Sequence, residues 1–126
     1  MSLPPVLVRL FDAENRRDWS DLAALLHPDV EWTVVPSQRG RSVGIAAYLE
    51  RLEGAYSESG GTTLKVRHVI RGGDDLTATE LVDQDGGVSL EVFQLEDGRV
   101  RRTWEYLFHA PVQEISAGDE LPAAPG

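Results

Sequence analysis

Residues 76–108 read L-T-A-T-E-L-V-D-Q-D-G-G-V-S-L-E-V-F-Q-L-E-D-G-R-V-R-R-T-W-E-Y-L-F. This stretch predicts most of the sheet. Leu76–Val82, Val88–Leu95 and Arg99–Phe108 are rich in Val, Leu, Thr and aromatic residues. The segments between them, D-Q-D-G-G and E-D-G-R, consist largely of residues that tolerate positive φ in tight turns. Runs of this length joined by such turns predict an antiparallel meander. A fourth strand, Thr63–Ile70, is predicted to join it through the G-G-D-D turn.

The first half of the chain predicts helices. Ser2 and Asp18 are suitable caps for a first helix and a shorter second helix, which Pro28 should end. Residues 30–35 alternate like a strand, and Ser42 is a suitable cap for a third helix. The first helix has a face on which only the last residue is polar: Leu7, Leu10, Phe11 and Glu14.

The order of these elements predicts an α+β fold. Three N-terminal helices precede the four strands of the meander, and helices segregated from an antiparallel sheet cover one of its faces. With 126 residues the chain is expected to form one domain over residues 1–109. Residues 110–126, rich in Gly, Pro and Ala, are expected to be a disordered tail.

Composition limits the classes of function. The net charge is −9, and the 12 basic residues form no dense stripe, which argues against nucleic acid and anionic membranes as partners. No apolar stretch approaches the roughly 20 residues that span a bilayer. Because the N-terminus lacks the pattern of a signal peptide, we expect a cytoplasmic protein.

The sequence predicts neither a metal nor a cofactor. It contains no cysteine, which excludes disulfides, thiolate zinc sites and cysteine nucleophiles. His27, His68 and His109 are far apart and show no metal-ligand spacing. The glycines form neither a phosphate loop nor a dinucleotide-binding motif.

Two stretches carry a resemblance to a known family. The segments D-W-S-D-L-A-A-L-L-H-P-D-V-E-W, residues 18–32, and D-G-R-V-R-R-T-W-E-Y-L-F, residues 97–108, resemble the nuclear transport factor 2-like superfamily. Within it the chain is most similar to the SnoaL-like branch, which includes polyketide cyclases and has limonene epoxide hydrolases and ketosteroid isomerases as cousins. The resemblance implies a curved sheet wrapped around the helices into a cone, a mostly apolar pocket, and a homodimer formed through the outer sheet face.

The resemblance also implies two catalytic carboxylates. The segment T-E-L-V-D, residues 79–83, is similar to an epoxide hydrolase pattern in which Asp83 falls on a catalytic acid and Leu81 replaces an arginine. Glu105 falls on the second acid, and Trp32 and Val34 replace the two residues that hold the water. Thr103 and Leu107, which flank Glu105 on its strand, are further candidate pocket residues. His68, in the middle of a predicted strand beside Arg67, is a candidate for the pocket mouth.

Several alternatives remain open from the residues alone. On periodicity, Val100, Trp104, Tyr106 and Phe108 share one side of the last strand, which would direct Glu105 to solvent beside Arg101. Asp83 is also an ordinary turn residue at the start of D-Q-D-G-G. The sequence therefore allows two functions. One is an acid–base enzyme without a cofactor, acting on a small apolar molecule as a cyclase, isomerase or hydrolase. The other is a non-catalytic ligand-binding or dimerisation module.

Overall fold

The predicted meander is present in the computed structural model, which describes residues 2–35, 40–59 and 61–107. Its strands are β3 (Leu64–Arg71), β4 (Leu76–Asp83), β5 (Val88–Glu96) and β6 (Arg99–Leu107). Each pairs antiparallel with the next, which confirms the prediction. The predicted tail, residues 110–126, lies outside the described residues.

Two further strands extend the sheet beyond β6. β1 (Leu26–Val35) lies parallel to β6, and β2 (Arg41–Val43) lies antiparallel to β1. The six strands follow the order β2-β1-β6-β5-β4-β3 in a curved, unclosed sheet. The sheet is therefore mixed, and the expectation that it is antiparallel needs correction at the β1–β6 pair. These two strands are far apart in sequence, so no tight turn forces them to run in opposite directions.

Three helices cover one face of this sheet: α1 (Pro5–Arg16), α2 (Trp19–Ala23) and α3 (Ile45–Ser59). Phe11 of α1 meets Phe93 of β5 edge to face, with ring centroids 5.6 Å apart. The curved sheet and the three N-terminal helices confirm the predicted α+β class. None of these helices combines the length and the apolar composition required to cross a membrane.

The helix ends agree with the predicted caps only in part. Asp18 caps α2 as predicted, because its carboxylate accepts a hydrogen bond of 3.0 Å from the Asp21 amide. Ser2 does not cap α1, which follows Pro4 and has no side-chain cap. Ser42 does not cap α3 because it lies within β2. The second helix ends at Ala23, whereas Pro28 lies within β1, which begins at Leu26. Pro28 therefore does not end this helix.

A β-bulge in β6 decides which of its side chains face the helices. Gln94 of β5 is paired with Arg102, whereas the next residue, Leu95, is paired with Val100. Arg101 is therefore an extra residue on β6, and the alternation of side chains shifts by one position there. Arg101 donates a hydrogen bond of 2.7 Å to the Asp29 carbonyl.

This shift corrects the face predicted for the last strand. Val100 is fully buried in the core, while Tyr106 is 39% exposed on the opposite side of the sheet. Trp104 shares the outer side with Tyr106, because the two residues are two positions apart on one strand. Phe108 lies outside the described residues. Val100 therefore does not share a side with Trp104 and Tyr106, as periodicity indicated, and Glu105 faces the helices instead of solvent.

Candidate active site

A cavity of about 390 Å³ lies between the helices and the covered face of the sheet. α1 and α3 contribute one wall, and β1, β3, β4, β5 and β6 contribute the other. The lining contains four carboxylates and no basic residue among the described part of the chain. The lining residues are Glu14, Trp32, Tyr48, Leu52, Ala55, Tyr56, Thr62, Leu64, Asp83, Gly87, Val88, Ser89, Glu91, Glu105 and Leu107.

Glu91 and Glu105 form a carboxylate pair in this cavity. They are directly opposite each other in the antiparallel β5–β6 pair, so both side chains point to the same face. Burial raises the pKa of Glu91 well above its ordinary value, and the charges of Glu105 and Glu14 raise it further. Burial also raises the pKa of Glu105, but hydrogen bonds from Glu91 and Trp32 and the charge of Arg51 partly oppose this. Both carboxyls are therefore pushed towards the neutral form, Glu91 more strongly than Glu105.

Glu14 brings a third carboxylate from α1. It is only 6% exposed, and burial raises its pKa to about 7 in spite of a hydrogen bond from Tyr56. That bond joins the Tyr56 hydroxyl to Glu14 Oε2 over 2.5 Å. The charge of Glu105 raises the pKa of Glu14 further, whereas the charge of Arg17 lowers it. Near neutral pH, Glu14 can thus hold or release a proton.

Aromatic side chains form the wall beside these acids. The Trp32 and Tyr48 rings lie 4.8 Å apart between centroids, and the Tyr48 hydroxyl lies 3.4 Å from Thr103 Oγ1. Burial raises the pKa of Tyr48, and the charge of Glu91 adds to the effect. Burial and the charge of Glu14 raise the pKa of Tyr56 as well. Both tyrosines therefore stay protonated and can donate hydrogen bonds.

Two arginines support this wall without lining the cavity. Arg17 stacks on the Tyr56 ring, with its guanidinium carbon 3.8 Å from the ring centroid, and donates a 2.6 Å hydrogen bond to the Thr62 carbonyl. Arg51 lies over the Trp32 ring at 5.3 Å and donates a 3.0 Å hydrogen bond to the Gly40 carbonyl. Their charges partly offset those of the buried carboxylates.

Asp83 lines the cavity, but its carboxylate builds a turn. Asp83 Oδ1 accepts hydrogen bonds of 2.8 Å from the amides of Asp85 and Gly87. A Cβ atom at Gly87 would lie only 2.5 Å from Asp83 Oδ2, so a larger residue there would displace the Asp83 carboxylate. Asp83 thus lines the cavity as the ordinary turn residue that the sequence also allowed.

The other predicted site residues divide into two groups. Trp32 and Leu107 line the cavity with Glu105. Val34, Leu81 and Thr103 do not: Val34 packs against the core, Leu81 is fully buried within it, and Thr103 contacts Tyr48.

His68 needs the clearest correction. Its side chain is 73% exposed and lies 2.6 Å from Glu80, away from the cavity. A register shift on β3 lies between Val66 and His68, so simple alternation along this strand could not place the histidine.

Sequence reasoning missed most of the acidic site. The sequence did single out Glu14, as the only polar residue on an apolar helical face, but no function was attached to it. Glu91 alternates with Leu90 and Val92 and shares the inward face of β5 with Phe93, which was the available signal. Tyr48 and Tyr56 recur at helical spacing in the sequence, which indicates an apolar face of the third helix but not a cavity wall.

A separate acidic group lies outside the cavity. His27, Glu96 and Asp97 offer ligand atoms within 4.8 Å of one another. His27 Nε2 lies 3.1 Å from Glu96, and its Nδ1 accepts a 3.0 Å hydrogen bond from the Asp29 amide. Both ring nitrogens therefore have protein partners, and we assign no metal to this group.

The turn role of Asp83 can be tested by two substitutions. Asp83→Asn keeps an acceptor oxygen for both amides, so its free energy of unfolding should match that of the native protein. Asp83→Ala removes both hydrogen bonds and should lower the free energy of unfolding by about 1 kcal/mol. Urea denaturation would measure both, and equal stability of the two variants would contradict this role.

The raised pKa of Glu14 predicts a pH dependence of stability. The folded-state pKa of about 7 lies above the ordinary value of 4.5, so its contribution is complete below pH 4.5 and declines as the pH rises to 7. Glu14→Gln removes this decline. The difference in free energy of unfolding between this variant and the native protein should therefore increase by roughly 1 to 3 kcal/mol from about pH 5 to pH 8. Glu53→Gln, an exposed change on α3, is the control. Urea denaturation at each pH would measure this, and the same pH dependence of stability in all three proteins would refute the assignment.

Comparisons with known proteins agree with this architecture. No curated protein sequence matches the chain. A candidate ketosteroid isomerase structure from Kribbella flavida is 25% identical with a TM-score of 0.70, and the match covers 94% of this chain and 88% of that one. TerC co-crystallised with polyporic acid is 21% identical with a TM-score of 0.68, covering 82% and 88%.

An epoxide hydrolase of M. tuberculosis, similar to limonene epoxide hydrolase, is 20% identical with a TM-score of 0.65. That match covers 82% of this chain and 80% of the hydrolase. At such identities, the likeness to TerC and to the hydrolase supports the fold alone. The profile of the SnoaL-like domain matches residues 7–103. The chain therefore belongs to the SnoaL-like domain family.

Proposed function

We propose that this protein is an acid–base enzyme that binds a small, largely apolar molecule in the cavity and needs no cofactor. The observation that carries the proposal is the Glu91–Glu105 pair inside a cavity lined by Trp32 and Leu107. Carboxylates whose surroundings push their pKa values apart provide an acid and a base in one site.

The roles of the two glutamates follow from their surroundings. Ionised Glu105 accepts a proton from a carbon or hydroxyl group of the substrate. Protonated Glu91 donates its proton to an oxygen of the substrate on which negative charge develops. The protonated hydroxyl of Tyr48 is a further donor for such an oxygen, whereas the Tyr56 hydroxyl already donates to Glu14. Proton removal at one atom and delivery at another is the chemistry of an isomerase or a cyclase.

A non-catalytic binding module is the second candidate, and Asp83 favours it. The predicted catalytic acid is held in a turn by two backbone amides, and Leu81 occupies the arginine position of the epoxide hydrolase pattern. Such a protein would retain the cavity and bind the same molecules without turnover. We therefore assign no catalytic role to Asp83, and its ionised form would only add negative charge at the cavity.

Kemp elimination of nitrobenzisoxazole tests the proposed base without knowledge of the natural substrate. In this reaction a carboxylate removes the proton from carbon as the N–O bond breaks, and the phenolate product absorbs visible light. The native protein should accelerate it, and Glu105→Gln should lower the rate by about 100-fold, as loss of a general base does. Asp83→Asn and Glu53→Gln should keep the rate. Binding of the probe without any acceleration would favour the binding module.

We also propose a homodimer through the outer sheet face. Val35, Tyr106 and Leu90 follow one another across β1, β6 and β5, and each is 37–39% exposed. Trp104 and Val92 form the neighbouring row. A contiguous apolar face of this kind typically marks an interface.

Light scattering should therefore give twice the 13.9 kDa mass of one chain at micromolar concentration. Tyr106→Lys places a charge at the centre of the face and should give the single-chain mass. A native protein of single-chain mass would refute the dimer. The control is Lys65→Glu, a charge change on β3 at the far end of the sheet.

A further inference from the structure

The indole N–H of Trp32 is a buried donor without an acceptor in the described part of the chain. Trp32 is 5% exposed and lines the cavity, and its Nε1 has no hydrogen-bond partner among those residues. Buried N–H groups in native proteins nearly always have an acceptor, because an unpaired donor retains the full cost of its desolvation. This exception therefore needs a physical reason.

The contacts of Trp32 fix the direction of this N–H. The Trp32 ring lies 4.8 Å from the Tyr48 ring, and the Arg51 guanidinium carbon lies 5.3 Å from the Trp32 ring centroid. Arg51 also donates a hydrogen bond of 3.3 Å to the Trp32 carbonyl, so one side chain contacts both the ring and its backbone. A donor held in this way inside a cavity is preorganised for an acceptor that a ligand brings.

The Glu105 carboxyl lies next to this donor. Trp32 is paired with Thr103 in the parallel β1–β6 ladder, and Glu105 is two positions further along β6, so both side chains reach the cavity from one face. Burial raises the pKa of Glu105, and the Trp32 side chain opposes this rise, although their contact lacks the geometry of a complete hydrogen bond. One small group bound beside both residues would therefore contact the donor and the carboxyl together.

A hydroxyl group matches both of these neighbours. Its oxygen accepts from the Trp32 N–H, and its hydrogen can point to a carboxyl oxygen of Glu105. With Glu105 ionised, as the proposed function requires, a carbonyl or ether oxygen would direct its lone pairs at the carboxylate. An ammonium group would donate to Glu105 but has no lone pair for Trp32. Of these four groups, only the hydroxyl satisfies both residues.

The rest of the lining favours an apolar body attached to that hydroxyl. Leu52, Leu64, Val88 and Leu107 surround the same space as the aromatic rings. A volume of about 390 Å³ suits a small organic molecule that is held mainly by apolar contacts and oriented by a few polar groups.

We propose that the substrate is an alcohol or phenol with an apolar body, and that Trp32 Nε1 donates a hydrogen bond to its hydroxyl oxygen while the hydroxyl proton faces Glu105. This inference deepens the proposed function and rests on it in taking Glu105 as the base. When Glu105 accepts that proton, the O–H bond breaks and its electron pair stays on the oxygen. The Trp32 N–H then stabilises the negative charge that develops there.

Titration with matched probes tests the hydroxyl. β-Naphthol, its methyl ether and β-methylnaphthalene share one body: the first accepts and donates, the second only accepts, and the third does neither. para-tert-Butylphenol, its methyl ether and para-tert-butyltoluene provide a second body. Near neutral pH, the better-binding phenol should bind about tenfold more tightly than its methyl counterpart, and its ether should also bind more weakly. Equal affinity of phenol and methyl counterpart in both series, or no binding of either phenol, would overturn the inference.

Trp32→Phe removes the N–H and keeps an aromatic ring in the cavity wall. The smaller ring should weaken every probe, so the readout is the ratio of phenol affinity to methyl-counterpart affinity, which the lost packing affects little. This ratio should fall about tenfold, to near one. Trp19→Phe, which removes an indole N–H outside the cavity lining, is the control and should keep the native ratio. A native ratio in Trp32→Phe would contradict the role of Nε1.

Nitrogen–hydrogen NMR observes Nε1 directly in the native protein. The three tryptophans give three indole signals, and Trp19→Phe and Trp104→Phe assign the Trp32 signal by elimination. β-Naphthol should move this signal downfield relative to β-methylnaphthalene, because the methyl compound has the same rings but offers no acceptor. An identical signal with both probes would refute the hydrogen bond and mean that Glu105 or water already satisfies the donor.

Kemp elimination separates this inference from the proposed function. Nitrobenzisoxazole carries no hydroxyl group, so its turnover depends on Glu105 as a base and not on hydroxyl recognition. Retained turnover without a preference for phenols would refute the inference and leave the acid–base function standing. A preference for phenols that Trp32→Phe abolishes, without Kemp turnover, would support hydroxyl recognition and refute the acid–base function instead.

Discussion

The cost of burying three glutamates in one cavity is the constraint on which the site depends. Glu14, Glu91 and Glu105 come from three different elements, and each has its pKa raised by burial. The protein compensates in part, with a hydrogen bond from the Tyr56 hydroxyl to Glu14 and one from Glu91 to Glu105. Such an arrangement destabilises the fold relative to apolar packing, so its presence points to function.

The bulge at Arg101 connects the site to the outer surface. Beyond this residue, alternate side chains of β6 point into the cavity and away from it. Glu105 and Leu107 therefore line the cavity, while Trp104 and Tyr106 lie on the outer face. Without the extra residue, a strand with the same core contact at Val100 would present its aromatic residues inward and its glutamate outward.

Asp83 matches a catalytic sequence motif but makes different contacts from those a catalytic acid needs. The T-E-L-V-D segment resembles a catalytic pattern, yet the Asp83 carboxylate accepts hydrogen bonds from two amides of its own turn. Glu91, which matches no quoted motif, lies opposite Glu105 instead. A residue that matches a family pattern can thus accept hydrogen bonds from the backbone of its own turn, while the acidic partner of Glu105 comes from the adjacent strand.

Local sequence determined the elements of this fold: the meander from its turns, the helices from their apolar faces, and the Asp18 cap from one side chain. It also singled out Glu105, although only through a family resemblance. Tertiary structure alone decided the parallel pairing of β1 with β6 and the register shifts on β3 and β6. These features depend on contacts between distant segments, and a shift of one residue reverses the face of every side chain that follows. For that reason the convergence of Glu14, Glu91 and Glu105, and the exposure of His68, could not be read from the order of the residues.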